Sequence, residues 1–496
     1  MRHWTEGGAA AIAAMLIATG PAGAEITAAE AWQGIVDYYA SMGQSVTAAS
    51  QGQEGDTLVV RGAEFATHLP EGDARLSVEE IRLKEMGDGR VEVTMSPDIP
   101  LSVKMTSSKD EAIDMAMKLT QSGMTFVISG DNTATDYTFN SATMGIDVES
   151  LTVNGEAVPM TISGNLANLA GAYHMVKDGT TRQISSDFSS DKLDFAMKAN
   201  DPKGEGSLAF EGTLNGLSGT GKATLIEGIN SQDLLAMLNA GMSIDTAMNY
   251  GASAYTFDFH DKADAASGNA SGAGGSFHMT MSKDGLRYGG QSSGDKVSMQ
   301  IPQMPPVDFS IGEAAFDMLM PVTASDQEQP FSFLIKIADL EVSEMLWGLF
   351  DPGQKLPRDP ATLIIDAAGM AKLDINIFDP ANAERLDKGA PGEVSAVKLN
   401  QLRVTAVGAD LTGDGDVTLD NSGPKPKPLG AVNLKLVGGN ALIDKLVEMG
   451  LIPQDQAMGA RMMLGLFAVP EGEDTLTSKI EFKEDGGIYA NGQRIQ

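Results

Sequence analysis

The stretch GADLTGDGDVTLDNSG (408–423) decides how this chain is read. Its acids fit two frames. A calcium loop of the EF-hand kind needs oxygen ligands at positions 1, 3 and 5, Gly at 6 and a bidentate Glu at 12. Counting from Asp410 gives Asp410, Thr412, Asp414 and Gly415, but position 12 is Asn421 and no helical pattern leads in. The other frame is two alternating runs, LRVTAVGADLT and GDVTLDN, about a Gly-Asp-Gly turn. Glycines at 413 and 415 then supply the positive φ that tight hairpins demand. The hairpin frame is the better fit, and it makes the region β.

The same alternation runs outward in both directions. DTLVVRG (56–62), VEVTM (91–95), MTFVIS (124–129), KLDFAMKA (192–199), SLAFEG (207–212), YTFDFH (255–260), FSFLIKI (331–337), ATLIIDA (361–367) and VNLKLVG (432–438) all repeat with period two. That period means strands with one face buried. Clusters of Gly, Asn, Asp and Ser between them are what turns select. The expected fold is mainly β with short helices, an elongated antiparallel meander built from diverged strand-helix-strand modules of roughly 80–120 residues.

Five stretches read as short helices from their cap and stop signals. They are 27–43 with Thr27 as cap, 107–123, 230–241 with Ser231 as cap, 341–353 and 438–450. Each has one apolar stripe and is expected to lie on a sheet. Trp347, Leu442 and Leu446 are the expected anchors of the last two. DKADAASGNASGAGG (261–275) reads as a flexible linker. PQMPPVDFS (302–310) is proline-stiffened, so the expected division is 25–320 and 321–496.

Residues 1–24 read as a cleavable export signal. Arg2 precedes an apolar run, AAAIAAMLIAT (9–19), that is too short to span a bilayer, and Ala22 and Ala24 form the small-residue cleavage pattern. Cleavage is expected between Ala24 and Glu25, which places the protein in the periplasm with no transmembrane segment remaining. The chain has no cysteine, so a folded core must stabilise it without disulfides. The net charge of −32 repels nucleic acid and anionic head groups. With 42% hydrophobic residues, this is still a folding chain and not an acidic tail.

Chemistry-bearing motifs are sparse. His68, His174, His260 and His278 are far apart, and no spacing among them proposes a zinc site. GLSGTGKAT (216–224) lacks the Ser or Thr after Lys222 and the helix that a phosphate cradle requires. Nothing in the spacing proposes a cofactor, metal or catalytic residue. The 28 methionines are the compositional anomaly. Methionine fills irregular cores and also lines surfaces that take varied apolar partners. In FHMTMSKDG (277–285), Met279 and Met281 share one strand face and His278 takes the other.

Residues 321–369, LIDKLVEMGLIPQDQAMGARMMLGLF (442–467) and IYANGQRI (488–495) resemble an exported bacterial family, domain of unknown function 2125. The long meanders are similar in style to AsmA-like and YdgA-like envelope proteins. The resemblance implies no catalytic residue. It fits a non-enzymatic envelope protein, a β-scaffold binding lipid or an outer-membrane or envelope partner. The alternative is a secreted hydrolase whose site is assembled from dispersed His and Asp/Glu.

Overall fold

The structure, a computed structural model, describes residues 26–496 apart from 42–43, 70–71, 107–110, 132, 203, 205, 230–232, 263 and 424. The expected cleavage residues Ala24 and Glu25 lie outside the described residues. Among the described residues the chain forms 27 strands, and each strand pairing is antiparallel. No described helix is long and apolar enough to cross a membrane. The chain divides into two compact units: residues up to 232 with 253–265, and 233–252 with 266–496. The position 320–321, marked as a boundary by its prolines, instead falls within the second unit. There Val307–Met320 pairs along its length with Gln329–Val342.

Much of the first unit is a meander of consecutive strands, although Gly72–Glu85 also pairs with Asp98–Thr106 and Val91–Met95 with Thr125–Gly130. Ser45–Glu54, Thr57–Leu69 and Gly72–Glu85 pair in turn. Later in the unit Ala134–Val153, Met160–Asp178, Thr181–Asn200 and Ser207–Ile226 do the same. The Ala28–Ser41 helix lies on this sheet. Its entry is a capping box: Thr27 Oγ1 accepts from the Glu30 N–H, and the Glu30 carboxylate accepts from the Thr27 N–H at 3.0 Å. The Thr27 N–H and hydroxyl, both of which donate to it, hold the Glu30 carboxyl below its usual range. Ala28, Ala31, Trp32, Ile35 and Tyr39 recur at helical spacing, and all are buried against Val60, Phe65, Leu76, Val78, Ile81 and Leu83.

The second unit repeats the meander. Its strands run Gly274–Ser282, Gly285–Gln300, Val307–Met320, Gln329–Val342, Ala361–Leu373, Gly392–Ala406, Ala409–Asp420, Lys427–Val437 and Thr475–Phe482, each paired with the next. Helices interrupt the meander at Glu344–Phe350, Ala383–Lys388, Gly439–Glu448 and Gln454–Phe467.

Four sequence expectations are corrected here. Residues 112–122 are a strand, not part of a helix, because Ile113, Met115, Met117 and Leu119 alternate and pair with Asp98–Thr106 on one side and Ala134–Val153 on the other. Residues 264–272 are also strand; side chains this small still leave every backbone group free to pair, as Ser267–Ser271 do with Lys296–Gln300. The helix near 234 is capped by Asp233, whose side chain accepts from the Ala236 N–H, while Ser231 lies outside the described residues. The diverged repeat does not hold at Gly123, which follows a strand where the pattern needs a helix.

The opening stretch is corrected in detail. The hairpin turn is Val407-Gly408, both at positive φ, and Ala409–Asp420 is one continuous strand. Gly413 and Gly415 therefore make no turn. A Cβ on Gly413 would sit 2.7 Å from Leu434 Cδ2, and one on Gly415 2.8 Å from the Ala431 carbonyl oxygen. They are glycines because the neighbouring strand comes that close. Asp410, Asp414 and Asp416 share one strand face and form no loop; Asp414 accepts from Asn433 Nδ2 and Asp410 pairs with Arg403.

Candidate functional site: an amphipathic sheet face and the helices at its end

In the second unit the strand register can be followed residue by residue. Met279 stands opposite Tyr288, Tyr288 opposite Met318, Met318 opposite Phe333, and Phe333 opposite Ala367. The row continues through Leu399, Gly415, Val432, Ile480 and Ala490. Directly paired residues project from the same face, so this is one apolar row across the sheet. The adjacent row on that face starts Phe277, Gly290, Phe316, Ile335, Ile365. One residue along, on the other face, stand His278, Asp317 and Asp366.

This apolar face is incompletely covered. Apart from Ala490 its first row is half-buried, and Phe277 and Phe316 are exposed. Of the unit's helices, Leu234–Asn239 buries Leu238, but the later ones bury little: Glu344–Phe350 and Ala383–Lys388 bury none of their own residues, Gly439–Glu448 only Gly439, and Gln454–Phe467 only Ala457. Apolar sheets are ordinarily covered by a second layer.

At the strand end reached by residue 342 the chain builds a cap. Ser343 starts the Glu344–Phe350 helix, its hydroxyl accepting from the Leu346 N–H. Asp351 ends it with a carboxylate 1% exposed, which accepts from the Lys355 and Leu356 amides at 2.9 Å each and from Arg358 Nη1 at 2.7 Å. Burial raises the Asp351 pKa, but those donors outweigh it and hold the carboxyl below its usual range. The Arg358 guanidinium lies 4.2 Å from the Trp347 ring centroid, and Phe350 packs against that ring at 4.8 Å. Lys355 Nζ reaches Glu448 Oε1 at 2.8 Å, tying this loop to the Gly439–Glu448 helix.

The expectation that each helix seats its stripe on the sheet is corrected by this cap. Trp347 is half-buried under Arg358, while Met345, Leu349 and Phe350 face solvent. Leu442 and Leu446 are half-buried. A helix of two turns, pinned by the Asp351 and Arg358 ion pair, is held in place without burying its apolar side chains.

A family model described as an uncharacterized protein conserved in bacteria (DUF2125) matches residues 247–494. The chain belongs to this family. No curated protein matches it. The DUF2125 match begins well before the 321–369 stretch and nearly coincides with the second unit, so it includes both the apolar face and the cap.

The remaining polar groups of this DUF2125 protein are spread out and mutually paired. His278 Nε2 lies 2.8 Å from Asp317 Oδ2, and Arg287 Nε lies 3.1 Å from the same carboxylate. His174 meets Asp136 at 2.6 Å and His260 meets Asp258 at 2.8 Å. Each of these histidines thus has its own carboxylate, and among the described residues the dispersed set named for a hydrolase is not brought together. The side chain of His68 lies outside the described residues. In the first unit an open groove of about 550 Å³ is lined by Asp147, Asp194, Glu211, Thr120, Asn165 and Thr213 among others. Two of these acids are engaged: Lys192 and Thr213 hold the Asp194 carboxyl below its usual range, and Lys198 pairs with Glu211. Sequence reasoning missed the Gln454–Phe467 helix, whose apolar residues point in all directions and so show no single stripe.

Proposed function

We propose that this DUF2125 protein is a non-enzymatic periplasmic envelope protein that carries lipid acyl chains on the apolar sheet face of its second unit. One observation carries the reading. A row that includes Met, Tyr, Phe, Leu, Val and Ile crosses successive strands only partly buried, and beside it Phe277 and Phe316 are exposed. Contiguous exposed apolar surface of this extent marks a binding site for lipid or a partner. The export-signal pattern of residues 1–24 and the absence of cysteine support an envelope location. The acidic surface keeps such a protein soluble while its apolar face is loaded.

The test is lipid retention. Full-length protein is extracted with organic solvent, and the extract is read by mass spectrometry. The expected result is co-purified acyl lipid in the wild type and a loss of about fivefold or more in the Phe277→Asp/Phe316→Asp variant. Both residues are exposed, so the fold is expected to survive the change. Protein that is free of lipid and also fails to take up a fluorescent fatty acid overturns the reading.

A further inference from the structure

The Gln454–Phe467 helix is apolar on the side that faces solvent. It leans on the unit through Ala457, and Arg461 is turned to Asp444 of the neighbouring Gly439–Glu448 helix. Its outward residues include Met458, Met462, Met463 and Leu466, which are 65%, 72%, 52% and 47% exposed. Gly459 and Gly465 lie on the same side of the helix, and Arg461, between Met458 and Met462 in sequence, is turned away to Asp444. Leu451 and Val469 extend the apolar surface beyond both ends. Three unbranched thioether side chains on one helix form a surface that can mould to different apolar shapes.

The exposed charges that flank this helix in sequence are acidic. Asp455 stands exposed at the helix start, and Glu471 and Glu473 stand exposed just past its end. Arg461, the one cation on this helix, is in an ion pair with Asp444 of the neighbouring helix. An anionic bilayer is repelled by such a rim, and so is a second copy of a chain carrying −32. The complementary surface has an apolar stripe with cations at its ends.

We propose that the Gln454–Phe467 helix is a docking face for a cationic amphipathic helix of another polypeptide. The partner's apolar stripe packs on Met458, Met462, Met463 and Leu466, and its Lys or Arg residues meet Asp455, Glu471 and Glu473. This is the helix-in-groove mode with methionine as the adaptable contact. Such docking does not depend on lipid being carried on the sheet face.

The probe is a synthetic Leu/Lys peptide with helical amphipathic spacing, titrated into the full-length protein. A peptide of the same composition, scrambled to destroy the stripe, is the control for bulk charge attraction. The amphipathic peptide is expected to bind at least about tenfold more tightly than the scrambled one. Met458→Ser/Met462→Ser/Met463→Ser is expected to remove that preference with unchanged circular dichroism, since all three residues are surface. Asp455→Asn/Glu471→Gln/Glu473→Gln is expected to flatten the salt dependence. Equal binding of both peptides, or a Met variant that keeps the preference, overturns the proposal. So does Met-dependent binding of phosphatidylcholine vesicles without peptide binding, or Met-dependent self-association in sedimentation.

Discussion

Asp351 sits with its carboxylate almost sealed from solvent, between two backbone amides and the Arg358 guanidinium. Its folded-state pKa is lowered, so the unfolded chain takes up a proton first as pH falls. The stability it contributes is therefore complete above about pH 4, the ordinary Asp value, and is lost as pH falls through the folded value. Asp351→Asn is expected to lower the thermal midpoint at pH 6. The gap from wild type should close as both proteins are melted at successively lower pH, and a constant gap would show that ionisation of Asp351 is not what holds the cap. Trp347 belongs to the same cluster. A buried core Trp costs several kcal/mol when truncated, but this ring is half-buried and held by a guanidinium on one face and Phe350. Trp347→Ala is expected to cost about 1–2 kcal/mol in chemical denaturation, from partial burial and the cation–π contact.

At the scale of the strand, glycines under aromatic rings are the recurring device. Phe139 covers Gly171, Phe195 and Tyr255 cover Gly212, Phe188 covers Gly219 and Phe331 covers Gly369. A Cβ on Gly212 would stand 2.4 Å from Phe195 Cζ and 2.7 Å from Tyr255 Cδ1. The rings lie across the neighbouring strand where a side chain is missing, which restores packing that glycine forfeits. Gly212→Ala is expected to destabilise by about 1–3 kcal/mol because two rings must move. Gly52→Ala is the matched control: Gly52 is also in a strand, with nothing within 4 Å of its added Cβ, and is expected to be neutral or stabilising by up to about 1 kcal/mol. Equal effects at both sites in urea melts would remove the ring-over-glycine explanation. Many of the 56 glycines are thus sheet residues, although sequence reading assigns them to turns.

At the scale of the molecule the two units differ in how they cover their sheets. The first seats a helix on its apolar face and buries Trp32, Ile35, Ile81, Leu83, Val91 and Val93 together. The second leaves its apolar row only partly buried. Amide hydrogen exchange should therefore be slowest in Thr57–Leu69 and Gly72–Glu85 and faster in Gln329–Val342 and Ala361–Leu373. Addition of a fatty acid is expected to slow exchange in the latter pair and leave the former unchanged. Slowing confined to the first unit would move the binding surface there.

Alternation is a local property, and a strand one side of which must be dry has to alternate whatever it pairs with. For that reason the β class, most strands and the separation of Met279 from His278 were legible from the residues alone, as was the Thr27 cap from its own local pattern. The failures have the same logic. Ala112–Ser122 is written in helix-forming Met, Ala and Lys, and its two strand neighbours overrode that propensity. The Gly413 and Gly415 positions look like a turn until the close approach of Lys427–Val437 is known. What covers a face, and what is left uncovered, depends on residues distant in sequence. The register that aligns Met279 with Tyr288, Met318 and Phe333, and the docking that turns Met462 outward and Ala457 inward, are set by contacts between segments. Only the tertiary structure decided those, because no single segment contains both partners of such a contact.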